Sequence, residues 1–144
     1  MAPTDLITPG TEVIDGVTFD SGAVSGGETT DQLLIRLLEQ GVLVAQDLVS
    51  HHTHAFAGNN DIARWQVILQ KLVDPDYDTV LPGHGLPAGQ AVFAEMAAYL
   101  ETAGDLLGDD GDAYKRAIIE RYPACAIPFV IDIGNFYLFG TRPA

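Results

Sequence analysis

Two passages decide how this chain folds: Val42-Leu43-Val44-Ala45-Gln46-Asp47 and, further on, Thr79-Val80-Leu81-Pro82-Gly83-His84-Gly85. Each is a short apolar, β-leaning run that ends in a residue able to hold a metal ion. Asp47 stands directly after the strand expected over Val42–Gln46, and His84 just past the one expected over Thr79–Leu81. If the two strands are parallel neighbours, both side chains emerge at one sheet edge, where irregular backbone can shape a site. A carboxylate and an imidazole together suit zinc, iron or manganese. The glycines flanking His84 let the backbone approach a ligand closely. Singly, each signal also has a plain reading, Asp47 as a turn residue and Pro-Gly-His-Gly as a tight loop.

Working outward, Asp15-Gly16 between Glu12–Ile14 and Val17–Asp20 predicts a two-residue hairpin turn. Leu33–Leu38 and Val42–Gln46 form a second hairpin across Glu39-Gln40-Gly41, where Gly41 can take positive φ. Neither run alternates cleanly, so both strands are expected to be covered on both faces.

Between the two deciding passages, Asp61–Val73 has a helical period. Ile62, Trp65, Ile68, Leu69 and Leu72 share one face, and Asn60 is placed to cap it. A long helix is expected from Ala88 to Leu107 with Val92, Phe93, Met96, Leu100, Ala103 and Leu107 inward. Another opens at Asp112 and ends at Tyr122-Pro123. In the tail, Phe129, Val130, Ile133, Phe136 and Tyr137 keep a helical period with Pro128 in the first turn. Hairpin, hairpin, helix, strand and helices together predict an α/β layer with a mixed sheet. Residues 1–144 are read as one domain.

With 144 residues, 47% of them hydrophobic, the chain is long enough for a core. No run of about 20 apolar residues predicts a membrane span. The opening Met-Ala-Pro-Thr-Asp has neither a basic start nor an apolar run, so no secretory signal is expected. A single cysteine, Cys125, fits a reducing cytoplasm, argues against a cysteine-based zinc site and reads as a small buried or half-buried hydrophobe. Twenty acidic against seven basic residues give a formal charge of −13, which repels a phosphate backbone and argues against nucleic-acid binding. The acid excess reads first as solubility. Serine-nucleophile and P-loop chemistry find no motif, since neither a Gly-x-Ser-x-Gly elbow nor a Lys-Ser/Thr after Ser25-Gly26-Gly27 occurs.

In order and spacing, Val42–Asp47 and Val80–Gly85, with the hairpin before them and the amphipathic helix between, resemble the metallo-β-lactamase superfamily over roughly Thr8 to Leu107. The resemblance implies about one half of an αββα sandwich, with a mixed sheet and C-terminal helices. It implies that Asp47 bridges two metals and that His84 binds the second. The family's Gly-His-Thr-like motif is matched by Gly27-Glu28-Thr29, so Glu28 stands where a metal-binding histidine would be. Its carboxylate suits a hard cation; as a solvated loop acid it needs no ligand. The family's His-x-His-x-Asp-His motif would fall N-terminal to Met1 and occurs nowhere in the sequence.

His51-His52-Thr53-His54 is a histidine-rich tract, of the kind that can bind metals. Its spacing does not reproduce the missing motif, and His51 and His52 read as an exposed loop ahead of Asn59-Asn60. For His54, loop and a substrate-side position, as the resemblance implies, stand open together.

The expected function is therefore metal-dependent hydrolysis of an ester, thioester or amide-type bond, or a remnant of that site with weak or no activity. Asp47 and His84 would be the catalytic residues, with Glu28 as a third ligand for zinc, iron or manganese. The alternative is a non-catalytic module that binds a small molecule or a protein. A half-sandwich leaves one sheet face open, so a homodimer or larger assembly is expected.

Overall fold

The computed structural model describes residues 8–74 and 76–140; the opening residues Met1–Asp5 lie outside these. Five strands form one sheet in the order β1-β2-β3-β4-β5. β1 (Gly10–Ile14) and β2 (Val17–Ser25) pair antiparallel with Ile14 opposite Val17. Asp15 and Gly16 between them both take positive φ, 50° and 81°, the conformation a two-residue turn of this hand requires. β3 (Asp31–Leu37) and β4 (Val42–Ser50) form the second hairpin through a 3₁₀ turn, Leu38–Gln40, and a left-handed Gly41 at φ 63°.

α1 (Ile62–Leu72) then carries the chain over to β5 (Thr79–His84), which pairs parallel to β4. A parallel pair needs such a crossover. α2 (Val92–Leu106), α3 (Gly111–Arg121) and α4 (Phe129–Phe139) follow. Among the described residues, no helix is long and apolar enough to cross a membrane.

The core lies between one sheet face and the helices. Leu34, Leu43, Ala45 and Val80 from the sheet meet Trp65, Leu69, Phe93, Met96 and Leu100 from α1 and α2, all fully buried or nearly so. The indole Nε1 of Trp65 donates to the carbonyl of Leu48 at 3.0 Å, so the largest core side chain also satisfies a strand carbonyl that water cannot reach.

Several expectations are corrected. Over Leu33–Leu37 and Val42–Gln46 only one face is fully covered, and Leu33, Ile35 and Val44 on the other, with Leu81 of β5, are half-buried; the end of β4, Leu48–Ser50, is buried on both faces. β4 does not stop before Asp47 but runs on to Ser50, with register breaks on either side of Gln46, which holds φ at 48°. α2 starts at Val92 rather than Ala88, because Ala88 exchanges both backbone hydrogen bonds with Val80. Asn60 does not cap α1; it sits at φ 53° and Asp61 occupies the cap position. α3 is capped by Asp110, whose carboxylate accepts from the amides of Asp112 and Ala113. α4 buries Ile131, Gly134 and Asn135 and leaves Phe129, Ile133, Phe136 and Tyr137 exposed.

Candidate metal centre

The parallel pairing of β4 and β5 brings Asp47 and His84 together. Gln46 lies opposite Pro82 and Ser50 opposite His84, so four residues of β4 span what two residues of β5 span. The surplus is taken up as a bulge, a device that re-aims side chains at strand ends. It sends the Asp47 carboxylate to the end of β5, where Oδ1 lies 3.5 Å from Nε2 of His84. Both side chains are about half-exposed, at 42% and 49%, so the pair opens to solvent.

The backbone around His84 is held tightly. Its carbonyl accepts from the amide of His51 at 2.9 Å, and Gly85 follows at φ 98°. A Cβ at Gly85 would stand 1.9 Å from the His51 carbonyl oxygen, so glycine is required here on both grounds.

The Asp47–His84 pair fits a metal ion. Two donors each about 2.0–2.1 Å from a tetrahedral zinc stand about 3.3–3.4 Å apart, close to the 3.5 Å observed. The donor set, one hard oxygen and one imidazole nitrogen, also suits iron or manganese.

Glu28 follows the left-handed pair Gly26 and Gly27, at φ 111° and 97°. The Asn59 side-chain amide donates to its carbonyl. Burial, and next the negative charge of Asp47, push its carboxyl up from 4.5 to about 7. Glu28 thus faces the same charge that a metal would neutralise. Among the described residues, however, Glu28, Asp47 and His84 do not form a trio with every donor pair within 4.8 Å; His51, His52 and Glu95 do.

His54 lies inside the fold at 2% exposure, with Nδ1 3.1 Å from the hydroxyl of Tyr99. Burial lowers its pKa and raises that of Tyr99, so both stay neutral around pH 7. The exposed-loop reading holds for His52 but not for His51, which is half-buried with Nδ1 2.9 Å from the carbonyl of Leu86. Sequence reasoning did not single out Glu95, whose position on the first turn of α2 carries no local signal for a site. Cys125 is free and partly buried, and burial raises its thiol pKa.

The α/β layer is a partial metallo-β-lactamase-like fold, as its similarity to solved structures shows. The metallo-beta-lactamase from Pontibacter korlensis matches with a TM-score of 0.59 and 26% identity, over 67% of this chain and 47% of its own. VMB-1, crystallised at pH 5.5, matches with a TM-score of 0.58 and 25% identity, over 69% and 48%. FIM-1 from Pseudomonas aeruginosa, in its mono-zinc form, gives 0.54 and 24%, over 69% and 47%. The chain therefore spans about half the length of these relatives. No family model and no curated protein matches the sequence.

Proposed function

We propose that this chain contributes the Asp47–His84 half of a metal-dependent hydrolase site acting on an ester, thioester or amide-type bond. The observation that carries the reading is the 3.5 Å approach of Asp47 Oδ1 to His84 Nε2 at the ends of parallel strands. Asp47 and His84 hold the metal, zinc as in the mono-zinc form of FIM-1, or iron or manganese. Glu28 is a second carboxylate, near enough to Asp47 to feel its charge. When bound, such an ion polarises the scissile carbonyl and activates water. Asp47 would hold the ion from the bulge of β4, and the glycines at 83 and 85 let the Asp47 carboxylate and the His51 carbonyl close in beside His84. Two close donors make a weak site, because even lost outer contacts cost about 10–100-fold in affinity or activity. Hydrolysis by the 144-residue chain alone is accordingly slow.

A second reading, a non-catalytic binding module, has its own support. An apolar cavity of about 440 Å³ opens past the end of β4, walled by Thr53, Met96, Tyr99, Arg121, Tyr122 and Cys125, a size that suits a small ligand. A chelator-sensitive assay on generic ester, thioester and β-lactam substrates separates the two. Slow turnover lost in both Asp47→Ala and His84→Ala supports the hydrolase site. Turnover unchanged by both substitutions refutes it, and none in any of the three proteins favours the binding module.

A further inference from the structure

We propose that His51, His52 and Glu95 form a second metal site, distinct from Asp47 and His84 and suited to zinc-class divalent cations. His51 and His52 follow the end of β4, and Glu95 projects from the first turn of α2. One ligand atom from each lies within 4.8 Å of the others, and His51 Nε2 is 4.0 Å from Glu95 Oε2.

The hydrogen bonding of His51 fits a ligand. Its Nδ1 lies 2.9 Å from the carbonyl oxygen of Leu86. A carbonyl only accepts, so Nδ1 carries the proton and, in the neutral ring, Nε2 presents its lone pair toward Glu95. Metal-bound histidines are fixed in the same way, one ring nitrogen donating to a carbonyl while the other binds. His52 is positioned by its backbone: φ is held at 58° while its carbonyl accepts from Ala126 at 2.9 Å. Donors around a tetrahedral zinc stand about 3.3 Å apart, and Glu95, with its side chain 58% exposed, is free to swing the remaining distance. Two imidazoles and one carboxylate are a known zinc set that leaves a fourth position open. Imidazole nitrogen argues against calcium and magnesium, which take oxygen ligands. His52 and Glu95 also line the apolar cavity, so the open position borders a space that can hold a small ligand.

The test is calorimetric titration with Zn²⁺ of the parent, Asp47→Ala/His84→Ala, His52→Ala/Glu95→Gln and the four-fold variant, with folding checked by circular dichroism. His52 and Glu95 are both exposed, so their replacement leaves the core intact. Asp47→Ala/His84→Ala should retain one equivalent, and adding His52→Ala/Glu95→Gln should weaken that uptake by more than 100-fold. No uptake by Asp47→Ala/His84→Ala, or uptake unaffected by the further pair, overturns the proposal without bearing on the Asp47–His84 site. Should Asp47→Ala/His84→Ala fail to fold, the parent against His52→Ala/Glu95→Gln decides: loss of one equivalent supports the site, and equal stoichiometry overturns it.

Discussion

A Cβ placed on Gly83 would stand 2.0 Å from Oδ1 of Asp47 and 2.8 Å from the Asp47 amide nitrogen. The carboxylate of the proposed site therefore occupies the space that any larger residue at position 83 would fill. The Asp47 amide nitrogen, like the Gln46 carbonyl carbon also 2.8 Å away, belongs to the backbone and cannot rotate away. Gly83→Ala should cost about 1–3 kcal/mol, as overpacking does, and should abolish zinc uptake at Asp47–His84. Urea unfolding and zinc titration measure the two effects, and a variant with parent-like stability and zinc binding would contradict this geometry.

Glu28 gives the fold a pH dependence of known sign. Its folded pKa of about 7 lies above the ordinary 4.5, from burial first and the charge of Asp47 second. The native state thus binds the proton more tightly than the unfolded chain, and stability falls as pH rises from about 4.5 to 7. Below that window both states are protonated and the loss vanishes. In chelator, Glu28→Gln should be more stable than the parent at pH 8, on the order of 1 kcal/mol once solvent screening at this half-exposed group is allowed for. The two proteins should converge near pH 4. Thermal melts across the range check this, and parallel curves would refute it.

Trp65 ties the core to the site strand. Its indole donates to the carbonyl of Leu48, the residue next to Asp47. Trp65→Phe leaves that buried carbonyl unpaired and opens a void. A loss of about 2–3 kcal/mol is expected from the unpaired group and the lost packing together, read by urea denaturation. A loss under about 0.5 kcal/mol would mean that the hydrogen bond is replaced.

The half-buried outer sheet face and the exposed Phe129, Ile133, Phe136 and Tyr137 of α4 are apolar surface that a second copy can cover. Light scattering at micromolar concentration should give about twice the 15.4 kDa chain mass. A value of one chain mass would contradict self-association.

Local chemistry made much of this legible beforehand. Asp15-Gly16, Gly41 and the periodic stripe of Trp65, Ile68 and Leu69 each act within a few residues, so turn and helix followed directly. Asp47 and His84 were legible as a pair because strand ends and a parallel crossover suffice to bring them together. Tertiary contacts governed the rest. The Gln46 bulge carries β4 on to Ser50 by pairing with β5, and Ala88 is held out of α2 by Val80. α4 is apolar nearly all round, so its sequence did not mark which stripe faces inward. Glu95 reaches His51 only because α2 packs beside β4, a contact that no local pattern announces.

Whether Asp47 and His84 hold a metal between them is decided by zinc anomalous scattering from a crystal soaked in Zn²⁺. A peak is expected about 2.0–2.1 Å from both Asp47 Oδ1 and His84 Nε2, present also in His52→Ala/Glu95→Gln. A crystal that shows no peak between these two atoms at saturating zinc, with the side chains paired as an ion pair at 3.5 Å, would contradict it.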